Sequence, residues 1–121
     1  MQLTMLGVGS SAGTPMIGCS CATCTSDDKR NQRTRCSCMV ELDNGRKIII
    51  DTGPDLRQQA LREGLATVDA VLYTHAHADH LHGIDDLRAF CQLQRAQIPL
   101  YGSPQTMAHI AEKFAYTLRE P

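Results

Sequence analysis

Thr74-His75-Ala76-His77-Ala78-Asp79-His80 is the stretch on which the reading of this chain turns. It closes a largely apolar run from Val68 to Thr74, so it reads as the loop at the C-terminal end of a strand. In an extended segment, side chains at i and i+2 project to the same side. His75 and His77 can therefore share one metal ion. Asp79 and His80 follow where the chain should turn into a helix, and their side chains can diverge towards a second ion. Imidazole nitrogen with carboxylate oxygen suits Zn²⁺, with Mn²⁺ or Fe²⁺ as alternatives. Two ions about 3.5 to 4 Å apart would clamp the attacking and leaving oxygens of a hydrolytic displacement and lower the pKa of bound water. The plain alternative is a set of solvated loop histidines. Against it stand three His and one Asp within six residues, at the end of a strand where α/β sheets place ligands.

Working outward, Lys47 to Asp51 forms the preceding strand, and its Ile48-Ile49-Ile50 run is apolar on both faces, as in a central strand. Pro54-Asp55 opens a helix with Leu56, Ala60 and Leu61 as its stripe and Gly64 as its stop. A helix between two strands predicts a parallel pair joined by a right-handed crossover. That topology sets Asp51 beside His75 and His77, where its carboxylate can accept a ring N–H and fix the ligating tautomer. Capping the turn at Thr52-Gly53 is its other role. Before this unit, Leu3 to Val8 reads as a first strand. Cys36, Cys38, Val40 and Leu42, alternating with Ser37, Met39 and Glu41, predict a strand with the cysteines on its buried face. Asn44-Gly45 is a hairpin signal. After the histidines come a helix from about Gly83 to Gln94, a short strand Pro99-Leu100-Tyr101, and a helix opened by Ser103-Pro104 that carries Met107, Ile110, Ala111, Phe114 and Leu118. No repeat or linker interrupts residues 1–121, which read as one α/β unit.

Composition narrows the function. The 121 residues are 42% hydrophobic and 21% charged with a net charge of −1, so no global field recruits nucleic acid or anionic membrane. With no Trp, three Tyr and two Phe, a base-stacking platform is not expected either. Met1 to Pro15 lacks a basic leader region and no apolar run approaches the ~20 residues of a membrane span. Six Cys at uneven spacing suit thiols or metal ligands in a reducing cytoplasm.

The His75-x-His77-x-Asp79-His80 loop resembles the signature of the metallo-β-lactamase superfamily. So do Asp51-Thr52-Gly53, the opening Gly7-x-Gly9-Ser10-Ser11-x-Gly13-Thr14-Pro15, and Gly83-x-Asp85-Asp86-Leu87-Arg88. Gly18-Cys19-x-Cys21-x-x-Cys24, with Cys36-Ser37 opening a strand, is similar to the phosphoribosyl cyclic phosphodiesterases of phosphonate breakdown. The resemblance implies an αββα sandwich and a binuclear zinc phosphodiesterase acting on a cyclic phosphate ester. His75, His77, Asp79 and His80 would hold the ions, with Asp79 and His80 nearest the chemistry. It further implies a later His, a bridging Asp and a final His, none of which follows His80 at suitable spacing. Residues 1–121 are accordingly expected to be the N-terminal half of such a domain, turning over little or nothing alone. Rival readings are another hydrolase of the superfamily, such as a tRNA 3′-processing endonuclease, thioesterase or lactonase, and a non-catalytic metal-binding half-domain that self-associates through an apolar sheet face.

Cys19, Cys21 and Cys24, in an irregular loop within the 18–35 insertion, suit three corners of a tetrahedral structural zinc. The similar phosphodiesterases draw a fourth ligand from a distant His; Cys36 or solvent are substitutes here, and free thiols are the alternative to any metal. Cys36, Cys38 and Cys91 are expected to pack as small hydrophobes. Lys29, Arg30, Arg33 and Arg35, beside Asp27 and Asp28, read as a charged exposed loop rather than a phosphate site. Arg88 and Asp85 read as a surface pair, and His109 as a surface residue. His82 has a supporting or solvated role, and Gly9 and Gly13 serve a tight turn.

Overall fold

The Asn44-Gly45 turn folds β2 (Ser37–Glu41) back onto β3 (Lys47–Ile50). Gly45 takes φ 86° there, a left-handed conformation that costs glycine little, and Leu42 N–H closes the hairpin on Arg46 O at 2.8 Å. In this computed structural model, which describes residues 1–118, β1 (Gln2–Gly7) pairs antiparallel with β2. Beyond β3 the sheet turns parallel, through β4 (Ala70–Leu72) and β5 (Leu100–Tyr101), in the order β1-β2-β3-β4-β5. The parallel β3–β4 pair is joined by α1 (Leu56–Glu63), as the crossover argument requires. Gly64 at φ 63° ends that helix and returns its N–H to the last carbonyls. After β4 the chain makes one short helix, α2 (Ala78–Leu81), and a 3-10 turn over Ile84–Asp86. Then follow α3 (Leu87–Gln94) and, past β5, α4 (Pro104–Lys113).

Two helix boundaries differ from the periodicity reading. The segment from Gly83 does not enter an α-helix directly, because Ile84 to Asp86 tighten into a 3-10 turn before α3 begins. The last helix stops at Lys113, with Phe114 as its C-cap, and Leu118 belongs to a separate 3-10 turn. Its start is as expected: Ser103 caps Thr106 N–H at 3.2 Å and Pro104 fills the first turn.

One sheet face carries the core. Ile49, Val71 and Tyr73 meet Leu56 and Ala60 of α1, Leu87 and Phe90 of α3, Ile110 of α4, and Leu81 and Ile84 of the intervening turns. Ile49, Leu56, Val71, Leu81 and Ile110 are fully buried, and each contributes about 1.5–3 kcal/mol. The face expected for β2 is inverted. Met39 and Ser37 point into the core, whereas Cys38 and Val40 are half-buried on the other side and Cys36 is exposed. The cause is that the second face is apolar too. The register aligns Leu3, Val40, Ile48 and Ala70 in one row, and Met5, Cys38, Ile50, Leu72 and Tyr101 in the next. Among the described residues no helix lies over them, and Leu3, Met5, Leu72 and Tyr101 are largely exposed. Among the described residues, no helix is long and apolar enough to cross a membrane.

Candidate metal centre

The histidine loop leaves the C-terminal end of β4 and is locked to the loop after β3 by backbone contacts. Thr52 N–H donates to His80 O at 2.9 Å and Gly83 N–H donates to Thr52 O at 2.9 Å. Glycine is required at this crossing. A Cβ on Gly83 would lie 1.8 Å from Gly53 O, and one on Gly53 would lie 2.3 Å from Asp79 O. Beneath the crossing, Thr52 Oγ1 meets the buried Tyr73 hydroxyl at 2.7 Å. Burial and the nearby Asp51 charge push the Tyr73 phenol well above its ordinary pKa, although the Thr52 hydrogen bond opposes this.

On this platform the three imidazoles converge. The ring centroids of His75 and His77 are 4.5 Å apart and those of His75 and His80 4.1 Å. Asp79 Oδ2 lies 3.2 Å from His80 Nε2, so the carboxylate enters the same cluster. Asp51, 3% exposed, supports it from below. Its backbone adopts φ 65°, a left-handed conformation that Asp tolerates better than most residues. Asp51 Oδ2 accepts His80 Nδ1–H at 2.6 Å and Thr74 Oγ1–H at 2.6 Å, and Oδ1 accepts Thr74 N–H at 2.8 Å. Asp51 does come close to His75, as expected, but its direct ring contact is with His80 rather than with His75 or His77. Asp51 grips His80 directly and reaches His75 only through Thr74, whose Oγ1 is 2.9 Å from His75 Nδ1. Its carboxylate holds the histidine loop rather than the Thr52-Gly53 turn. Ligand atoms of Asp51, His75 and His80 all fall within 4.8 Å of one another. Asp51 Oδ2 is already occupied by two donors, which suits an orienting carboxylate better than a ligand.

A cavity of about 380 Å³ opens beside His75 and His77, walled by Thr74, Ala76 and, from the start of α4, Ser103, Gln105, Thr106 and His109. His109 is thus not a plain surface residue: it is half-buried and lines the same cavity as two of the histidines. Helical spacing placed it beside Ile110 but gave no sign of which loop α4 faces. Thr74 is likewise a functional residue that spacing does not reveal. Its only signal was a hydroxyl directly preceding the first histidine. His82 lies outside the cluster, its ring 5.5 Å from Phe114.

A second group lies in the insertion. One Sγ from each of Cys19, Cys21 and Cys24 comes within 4.8 Å of the others. Met16 N–H points to Cys24 Sγ and Cys24 N–H to Cys21 Sγ, both at 3.4 Å. The second contact favours the Cys21 thiolate. The Cys24 N–H, aided by the neighbouring Cys19 and Cys24 side chains, brings the Cys21 thiol down to about 7. Cys36 does not join them. The basic residues nearby are engaged elsewhere: Arg30 with Asp28 at 2.7 Å, and Arg35 with Asp55 at 2.8 Å. Arg88 and Asp85 form the expected loose surface pair at 3.9 Å.

Residues 46–121, more than half of the chain, match the family described as the beta-lactamase superfamily domain. The chain belongs to the metallo-β-lactamase superfamily of metal-dependent hydrolases. The match takes in β3, Asp51 and the whole histidine loop. Among solved structures, the chain is similar to a diphosphatase of the PhnP family at 47% identity and TM-score 0.88, covering 94% of this chain and 46% of that one. It is also similar to Zn²⁺-bound PqqB from Methylobacterium extorquens at 27% identity and TM-score 0.78, covering 96% and 42%. An octanoyltransferase of Porphyromonas gingivalis is 41% identical over 120 residues, 99% of this chain but 24% of that protein. The chain therefore spans less than half the length of the relatives it matches, as the count of ligands after His80 led one to expect.

Proposed function

We propose that this chain carries the first metal-binding half of a zinc-dependent phosphodiesterase acting on a cyclic phosphate ester. The observation that carries the reading is the convergence of His75, His77 and His80 with Asp79 over the buried Asp51. Three imidazoles and a carboxylate are a donor set that fits Zn²⁺. A bound ion would polarise a phosphoryl oxygen and lower the pKa of bound water. The protein's own contribution is positional. His75 and His77 present neighbouring rings to one side, Asp79 and His80 supply the second pair, and Asp51 fixes the His80 ring so that Nε2 faces the cluster. The adjoining cavity admits a sugar-phosphate-sized ligand beside these donors. The likeness to a PhnP-family diphosphatase over nearly the whole chain supports phosphorus as the reacting centre. The octanoyltransferase likeness covers under a quarter of that protein, and acyl transfer gains no support from the site.

Cys19, Cys21 and Cys24 are proposed to hold a separate structural zinc, their three thiolates leaving one corner to another ligand. Thiol ligands of this kind persist in a reducing compartment, which suits the cytoplasm.

Zinc titration of the metal-free chain, followed by calorimetry, tests the reading together with hydrolysis of a ribose cyclic phosphate. Loss of one of two zinc-binding events on replacing His75 and His80 by Ala, with the event that belongs to Cys19, Cys21 and Cys24 retained and turnover weak or absent in the chain alone, is expected. Zinc affinity unchanged by both replacements would refute it. A preference for thioesters or lactones over the cyclic phosphate would move the assignment to another hydrolase class.

A further inference from the structure

Thr74 stands between two groups of the site, and its hydrogen bonds can be solved for proton positions. Its hydroxyl oxygen is 2.6 Å from Asp51 Oδ2 and 2.9 Å from His75 Nδ1. A hydroxyl has one proton to give, and an ionised carboxylate only accepts. The Thr74 proton therefore lies on the Asp51 side, and an Oγ1 lone pair faces the imidazole. His75 Nδ1 must then be the donor, which leaves Nε2 of the neutral ring with its lone pair free. His80 obeys the same constraint directly, since its Nδ1 is 2.6 Å from the same Oδ2. The acceptor count closes: Oδ2 takes the Thr74 hydroxyl and the His80 ring, and Oδ1 takes the Thr74 amide at 2.8 Å.

We propose that Thr74 is a positioning residue that relays the Asp51 carboxylate to His75, so that the buried carboxylate that bonds His80 also sets the tautomer of His75. The inference rests on the reading of His75 and His80 as metal ligands for its purpose, but not for its geometry. A free histidine side chain favours the Nε2–H tautomer, which presents no lone pair at Nε2. Holding the opposite tautomer before metal arrives removes a rearrangement from binding, as carboxylate–histidine pairs do at metal sites. Thr74 is exposed, so changing its side chain leaves the core untouched.

The test is the ring-nitrogen NMR of the metal-free chain, at a pH well above the ordinary imidazole value. In the unmodified chain His75 should show a protonated Nδ1 and an unprotonated Nε2. Thr74→Val keeps the branched shape and loses the hydroxyl; it should swing His75 to Nε2–H, leave His80 unchanged, and weaken Zn²⁺ or Co²⁺ binding by about 10–100-fold. Thr74→Ser should restore both readouts. An Nε2–H tautomer in the unmodified chain, or an Nδ1–H tautomer that survives Thr74→Val, would overturn the relay. A tautomer that swings while metal affinity stays constant would support the relay and refute His75 as a ligand, so the two ideas fail separately.

Discussion

Gly83→Ala is the sharpest probe of how the platform is built. A Cβ at this position would sit 1.8 Å from Gly53 O, 2.8 Å from Gly53 C and 3.1 Å from Thr52 O, all of them backbone atoms with no rotamer to yield. Relief requires the Thr52-Gly53 loop and the segment after α2 to separate by more than an ångström. That separation breaks the Gly83 N–H to Thr52 O bond and strains the Thr52 N–H to His80 O bond, both 2.9 Å. Each orphaned buried group costs about 1–3 kcal/mol, so the pair costs about 2–6 kcal/mol. Against a total stability of about 5–15 kcal/mol for a domain, the variant is expected to unfold at a much lower urea concentration or to fail to fold. The chain has no Trp, so far-UV circular dichroism is the suitable signal. With an m-value of about 1–3 kcal/mol per molar, the midpoint should fall by roughly 1 M or more. Gly45→Ala is the control. Its φ of 86° strains an alanine but nothing lies within 4 Å of the added methyl, so the cost should be only about 1–2 kcal/mol. A Gly83→Ala chain as stable as the Gly45→Ala chain would refute the argument that backbone crossing, rather than backbone angle, demands this glycine.

Asp51→Asn keeps the side-chain shape and tolerates the left-handed backbone, but loses the charge that accepts His80 Nδ1–H; zinc affinity measured by competition with a chelator should fall about 10–100-fold. Removing the Tyr73 hydroxyl with Tyr73→Phe leaves Thr52 Oγ1 buried and without its 2.7 Å partner, and chemical unfolding should show a loss of about 1–3 kcal/mol. Because the Cys21 thiol is lowered to about 7, it is the thiolate in a larger share at neutral pH. Its alkylation, followed by mass spectrometry of the metal-free chain, should rise through that pH and level off above it. Cys38, whose thiol burial pushes upward, should still be accelerating at higher pH. Zinc added before the reagent should protect Cys21, and equal labelling with and without zinc would count against the three-cysteine site.

The parts of this fold that were legible in the sequence are those governed by local backbone rules. Asn44-Gly45 demanded a hairpin, Gly64 a helix end and Ser103-Pro104 a helix start, and each lies where those rules put it. The parallel β3–β4 pair followed from chain topology, and with it the approach of Asp51 to the histidine loop. What it touches there was not legible. The choice of His80 over His75 and His77 depends on how α2 turns the chain after Asp79, a feature of four residues with no periodicity to read. His109 escaped notice because helix patterning tells which face is buried, not which loop that face meets. The inverted face of β2 has a different cause: alternation identifies an interior only when the other side is polar, and here Met39 and Cys38 are both credible core residues.

That two-sided apolar sheet bears on how strands find their partners. A strand polar on one face resists slipping by one residue, because the slip would bury its polar side chains. In β2 and β3 a slip exchanges Ile49 for Ile48 or Ile50 and Met39 for Cys38 or Val40, with little change in hydrophobicity. Correct alignment of the central hairpin therefore depends on the length and handedness of its Asn44-Gly45 turn, and a single inserted residue there would permit other pairings of β2 on β3.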